Sequence, residues 1–423
     1  MSLVLGIDVG TSGVRTAVLS ADGQLISFAS EAHKEQLNPE KIDASRWWEA
    51  VMACLQKQII TLRETGFDPV QITRLAVDGT SGTMVLVDEG LVPVTPALMY
   101  NSAGFEAESS IIAKFGPKSH ITQGLNSALA RAMRLQSYDS LLCGRHLVHQ
   151  ADYIAAKLAG HMVPSDDNNA LKTGYDPSAM LWPDWIGQTG FNTDYLPQVE
   201  RPGTEIATIS PDIAAQLGLS KTLRIHAGTT DSIAAYLACA APTPGVAITS
   251  IGTTLVIKVM SPKRIDDTAS GLYSHRLGAG WLVGGASNTG GGVLRHFFSD
   301  DQLARLSKSI DPTVSSNLDY YPLLKPGERF PINDVNLEPR MAPRPRDDVA
   351  FLHGLFEGIA RIEGRCYAKI EEAGGKAPHQ IFTAGGAAKN HAFTEIRARH
   401  LMVKPTAAPH TDAAIGAAKL SML

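Results

Sequence analysis

The 423 residues carry 38 Lys and Arg against 42 Asp and Glu, a formal net charge of −4, with 44% hydrophobic and 19% charged residues. That is an ordinary globular composition for two to three domains. It argues against a nucleic-acid surface, for want of a basic run, and against a membrane span, for want of about 20 continuous apolar residues. Cys54, Cys143, Cys239 and Cys366 are scattered, with no CxxC pair and no HExxH, so neither a disulfide framework nor a zinc site is expected. The chain enters its first apolar run without a basic leader or cleavage site, so a cytoplasmic protein without a signal peptide is expected.

Leu3 to Ala17, LVLGIDVGTSGVRTA, reads as strand, tight turn and strand. Glycine in the turn lets an anion approach main-chain N–H groups, and Thr11 and Ser12 add hydroxyl donors. Asp8 at the end of a buried strand calls for a cation or several donors. A phosphate with Mg²⁺ would satisfy turn and acid together. Gln24 to Ala29 adds a third strand, and Asp43 to Thr65 has helical spacing at Trp48, Val51, Leu55 and Ile59. Adjacent Trp47 and Trp48 point about 100° apart on a helix, so only one can be core.

Gln71 to Val77 is the next strand, and it delivers Asp78-Gly79-Thr80-Ser81-Gly82 to its carboxyl end, where ligands collect in open α/β sheets. Residues 105 to 160 read as helical, and Ser165 to Pro202 as loop-rich. A boundary near Leu223 to Gly228 predicts domains 1–226 and 227–423. Ile225 to Ser232 is strand then turn, and it places Asp231 at the start of a small-residue helix. As a plain helix cap or as a general base, Asp231 suits that position.

Val246 to Met260 repeats the first plan, strand, Gly252-Thr253-Thr254, strand, which points to an internal duplication and a second phosphate turn. Trp281 to Gly292 is a further strand and turn. Asp311 to Val349, rich in Pro and charge, reads as an excursion from the core. Phe351 to Ile370 is a helix, Gln380 to Gly386 a strand entering a double-glycine turn, and Ala387 to Asn390 the start of the next helix. Thr411 to Leu420 is a small-residue helix suited to close packing.

Taken together, residues 4–17, 74–88, 152–160, 228–240, 247–255, 382–397 and 411–418 resemble the actin, Hsp70 and hexokinase superfamily, and within it the FGGY carbohydrate kinases. The resemblance implies an α/β fold of two ribonuclease-H-like domains with an interdomain cleft, closing on ATP and a small-molecule sugar. It implies that Asp8 holds Mg²⁺ through water. Thr11, Ser12, Gly252, Thr253 and Thr254 would line the phosphates. Gly385, Gly386 and Asn390 would lie against the adenosine, with Phe393 as an apolar neighbour. Asp231 matches the family's catalytic base, and Asp8, Ser81, Asp231 and Ser232 would face the acceptor.

The chain departs from family patterns at two places. The Gln-Met-His of xylulose kinases and the Arg-Glu of glycerol kinases are replaced by Asp78-Gly79-Thr80-Ser81. The Trp-x-Asp-x-Arg sugar motif is replaced by Tyr100-Asn101-Ser102-Ala103-Gly104. The combined pattern is most similar to small D-ribulose kinases of cyanobacterial and plant type. The expected activity is phosphorylation of D-ribulose, with D-xylulose, L-ribulose or a tetritol as alternatives. A non-catalytic sugar sensor is the reading from another class.

Overall fold

The computed structural model describes residues 2–35 and 38–423. The chain folds into two compact units, Met1–Ala238 with Asp412–Leu423, and Cys239–Thr411. A division after position 226 would cut a strand, Arg224–Thr230, in the middle of its pairing. The units therefore part later, and the last twelve residues return to the first.

In the first unit, β1 (Leu3–Val9), β2 (Gly13–Ser20) and β3 (Leu25–Ala32) form an antiparallel meander. Against the other side of β1 lies β4 (Ile72–Gly79), in parallel. Helix α1 (Ser45–Glu64) covers the meander. Trp47 is its core tryptophan, fully buried and edge-on to Tyr153 at 6.2 Å, while Trp48 is half-buried with Lys157 over its ring. The segment 105–160 is less helical than its composition suggests. It holds α2 (Glu106–Phe115), α3 (Ala128–Tyr138) and α4 (Gln150–Ala159), but β5 (Met84–Val87) pairs with β6 (His146–His149) just ahead of α4. Leu147 and Val148 form a short buried apolar run that pairs with β5 as a strand.

The loop-rich stretch contributes β7 (Ser165–Asp166), α5 (Asp167–Thr173), α6 (Trp185–Gln188) and β8 (Val199–Glu200). After β9 (Glu205–Thr208) and α7 (Pro211–Leu217), β10 (Arg224–Thr230) joins β4 in parallel and runs into α8 (Asp231–Cys239). The sheet order is β3-β2-β1-β4-β10-β9.

The second unit repeats this plan. β11 (Val246–Ile251), β12 (Leu255–Ser261), β13 (Tyr273–Leu277) and β14 (Gly280–Ser287) are antiparallel neighbours, and β15 (Gln380–Ala384) and β16 (Thr406–Ala407) extend the sheet in parallel from β11. The order is β13-β14-β12-β11-β15-β16. Helices α9 (Gly291–Phe297), α10 (Asp300–Ser307), α11 (Asp348–Glu372) and α12 (His391–Leu401) complete the unit.

The segment Asp311 to Val349 is a covering layer of the core and no excursion from it. Up to the start of α11 it lacks helix and strand, yet it buries Tyr320, Tyr321, Leu323 and Phe330. Phe330 lies so close to β14 that a Cβ on Gly285 would sit 2.6 Å from its ring. Aromatic burial outweighs the polar composition there.

Helix α13 (Ala413–Leu420) lies on the first unit's sheet, against β1, β2 and β4. The small residues are obligatory. A Cβ on Gly6 would overlap the Ala414 carbonyl oxygen, and one on Gly416 would overlap that of Ala234.

Candidate active site

Three parallel strands of the first unit end side by side, and each delivers an acid. Register places Asp8 of β1 opposite Asp78 of β4, and Asp78 opposite Thr229 of β10, two residues before Asp231. Asp412, which caps α13, brings a fourth carboxylate to the same end, where Arg15 lies 3.1 Å from Asp8 and 3.7 Å from Asp412. Arg15 is thus paired with acids, and the Gly10–Gly13 turn keeps mainly neutral donors.

Asp78 is fully buried, and neither of its oxygens accepts a hydrogen bond from a donor among the described residues. Burial first, then the charge of Asp8 and Asp231, pushes its carboxyl well above the ordinary carboxylate range. Burial raises Asp8 too, against the pull of Asp78 and Arg15. Two such carboxylates cannot both ionise in a protein interior, so Asp78 holds a proton toward Asp8 unless a cation replaces it. Hard oxygen donors suit a divalent cation. Among the described residues no three His, Cys, Asp or Glu side chains are grouped to hold one. A cation here would complete its shell with water and phosphate oxygens, as Mg²⁺ usually does.

Asp231 is half-buried at the β10–α8 junction, and the Ser232 N–H donates to its Oδ1 at 2.7 Å. Ser232 is exposed and Ser81 half-buried. Thr80, next to Ser81, is structural: its N–H and hydroxyl both donate to Gln150 Oε1, at 3.0 and 2.8 Å.

The two glycine-hydroxyl turns share one device. In the first, the Gly10 N–H donates to Gly13 O at 2.9 Å, while His33 donates its main-chain N–H to Ser12 O and sets its ring against Gly10 O, both at 3.1 Å. In the second, Gly291 and Gly292 donate to the carbonyls of Gly252 and Thr253, at 2.8 and 2.9 Å. Carbonyl oxygens that would repel an anion are thereby occupied. Thr11, Ser12 and Thr253 stand exposed and Thr254 half-buried.

Beside the second turn, β15 pairs Ala384 with Ser250, so the double-glycine turn abuts the end of β11. Gly385 has φ +90°, and a Cβ there would meet Ile251 O at 2.7 Å. Gly386 faces open space within a cavity of about 670 Å³ lined by Ile251, Leu294, Ile310, Phe356 and Phe393, with Arg295, Lys308 and Lys389 among its polar lining. Apolar walls with a few charged groups suit a nucleoside phosphate. Asn390 lines this cavity but is occupied: it caps α12 by accepting the Phe393 N–H at 3.0 Å and donates to Ser307 at 2.8 Å. The Ala387–Asn390 stretch is accordingly a 3₁₀ turn, Gly386–Lys389, with the helix starting at His391. Phe393 is buried against Phe356, ring centroids 4.5 Å apart and stacked.

A buried ion pair stands behind this cavity. Arg397 and Glu363, both fully buried, share two bonds of 2.6 and 2.7 Å, and Thr249 of β11 and Thr383 of β15 complete the network. Burial alone would loosen the Arg397 proton, yet Glu363 holds it more tightly than usual.

Thr11→Ala and Gly386→Val are both expected to weaken ATP binding without loss of fold. The first removes an exposed hydroxyl that would donate to phosphate, worth about 1.5–3 kcal/mol for a charged partner. The second projects a branched side chain into the cavity, where the nearest protein atom to a Cβ is 3.8 Å away. Calorimetry showing wild-type ATP affinity in both folded variants would contradict both placements.

The first unit carries acids at the ends of adjacent strands and one glycine-hydroxyl turn, the second another such turn and a nucleotide-sized cavity, features that suit an ATP-dependent phosphotransferase. Residues 3–129 match the N-terminal domain, and residues 247–423 the C-terminal domain, of the FGGY family of carbohydrate kinases. The chain belongs to that family. A xylulose kinase of Staphylococcus epidermidis is 24% identical over 99% of this chain and 87% of its own length. The crystal structure of xylulose kinase from Bifidobacterium adolescentis superposes with a TM-score of 0.82 at 20% identity, covering 100% of this chain and 92% of that one. Plasmodium falciparum glycerol kinase with ADP gives 0.85 at 14% identity, over 99% and 89%. Among the described residues, no helix is long and apolar enough to cross a membrane.

Proposed function

We propose that this kinase phosphorylates a ketopentose, D-ribulose at its 5-hydroxyl, using ATP and Mg²⁺, and that it is of the small D-ribulose kinase type. The observation that carries the acceptor is the turn after β4. Where xylulose kinases have Gln-Met-His, this chain has Asp78-Gly79-Thr80-Ser81, and Asp78 joins the carboxylate group. The names of the relatives favour D-xylulose as the second reading.

In this reading Asp231 accepts the proton of the attacking hydroxyl as its oxygen bonds to the γ-phosphorus and the bond to the β-phosphate oxygen breaks, ADP leaving with that electron pair. Asp8, with Asp78 beside it, would hold Mg²⁺ through water, and the ion would neutralise phosphate charge when bound. Thr11, Ser12, Gly252, Thr253 and Thr254 orient the phosphates, Gly385, Gly386 and Asn390 shape the adenosine site, and Ser81 and Ser232 face the acceptor. Little else is needed, because phosphoryl transfer depends mostly on alignment and charge neutralisation.

A coupled ADP-release assay over pentuloses, pentitols and glycerol tests the proposal. D-Ribulose should give the highest kcat/KM, with activity lost on chelating Mg²⁺. Equal or greater kcat/KM for D-xylulose would overturn the acceptor and leave the kinase class standing.

A further inference from the structure

We propose that Arg131 and Gln150 form the subsite that holds the non-reacting end of the acceptor through its oxygen atoms; the inference rests on the sugar-kinase reading above. Arg131, on α3, is 3% exposed and has no carboxylate partner among the described residues. Its Nε donates to Gly82 O at 2.9 Å, and its Nη1 to Tyr100 O and Asn126 O at 3.2 and 3.1 Å. Among the described residues, the two N–H groups of Nη2 meet no acceptor. Burial with nothing to offset it draws the guanidinium down to about 10, still charged at neutral pH. Nη2 is not one of the buried atoms left without a partner, so it meets solvent and is open to a ligand's oxygen atoms.

Gln150 adds a second, independent donor. Its Oε1 accepts both the N–H and the hydroxyl of Thr80, which settles the orientation of the amide and leaves Nε2 buried without a partner among the described residues. Both side chains border the same turn: a Cβ on Gly79 would be 3.2 Å from Gln150 Oε1, the oxygen of the amide that carries the free Nε2, and one on Gly82 2.9 Å from Arg131 Nη2. Arg131 also binds the backbone of Tyr100, where this chain lacks the usual acid and base of the sugar motif. Ser81 is half-buried and Tyr100 and Asn101 are exposed, so the turn can be reached by a ligand. Unmet N–H donors beside a strand end that bears the reacting groups suit the hydroxyl and carbonyl oxygens of a ketose.

The test compares Arg131→Lys and Gln150→Glu with wild type. Lysine keeps the charge but not the fork. Glutamate can still accept from Thr80 while removing the free N–H₂, and because position 150 is buried its melting temperature is measured beside its affinity. Each variant should raise the KM and the calorimetric Kd for D-ribulose roughly tenfold to a hundredfold, with KM for ATP within about twofold. Wild-type acceptor Kd in both folded variants, even with a lowered melting temperature, would reduce Arg131 to a brace of the two turns and overturn the subsite. If wild type prefers another acceptor from the panel, the D-ribulose reading falls alone, and the same comparison with that acceptor decides the subsite.

Discussion

Asp231→Asn is expected to lower kcat by about 10²–10⁴-fold, the usual loss on removing a general base. Asparagine keeps the size, and its amide oxygen can still accept the Ser232 N–H that Asp231 Oδ1 accepts at 2.7 Å. Only the basic charge is lost. Asp231 stands at the carboxyl end of β10, in the first unit, whereas the cavity proposed for the nucleoside is built wholly from residues of the second. Nucleotide affinity should therefore stay within a few-fold. If Asp231 served only to begin α8, the same variant would lose about 1 kcal/mol of stability and keep its activity. Measuring kcat beside the melting temperature separates the two roles. Full activity with a lowered melting point would make Asp231 structural and place the general base elsewhere in the enzyme.

The largest stability effect is expected at the buried ion pair of the second unit. Glu363→Gln leaves the Arg397 guanidinium fully buried beside a neutral amide, and breaking such a pair from one side costs about 3–5 kcal/mol. The loss should appear as a lower urea midpoint for the second unit's transition. Nucleotide affinity should fall with it, because Thr383 and Arg397 flank the double-glycine turn and Phe393 on β15 and α12. Replacing both partners, Glu363→Leu with Arg397→Met, should restore much of the midpoint, since no charge is then left unpaired. An unchanged midpoint in Glu363→Gln would show that the pair contributes nothing measurable.

The strand-turn-strand units are legible in the sequence because apolar runs broken by glycine and hydroxyl residues leave few other local solutions. The tight approach of α13 is legible for a similar reason, since only small residues permit it. The pairing of Asp8 with Asp78 is not. It depends on the parallel register of two strands about seventy residues apart, and nothing local encodes that. Asn390 shows a subtler limit: an asparagine ahead of a helix can serve the helix or a ligand, and here the Phe393 N–H and Ser307 occupy it. The stretch 311–349 misleads because it has no periodicity. Its buried tyrosines and Phe330 are the available signal, outweighed by the prolines and charges around them.

The return of residues 412–423 to the first unit has a consequence for biosynthesis. The second unit is one continuous segment, whereas the first is interrupted by it. On the ribosome, the face of β1 at Gly6 stays uncovered until the whole intervening unit has been made. At about 5–20 residues per second that interval is roughly 10–35 s. The nascent first unit must meet it with its apolar sheet face open, while the second can close as soon as its own chain emerges. The first unit is then completed by the docking of one short helix, whose fit at Gly6 and Gly416 leaves no slack for an alternative seat.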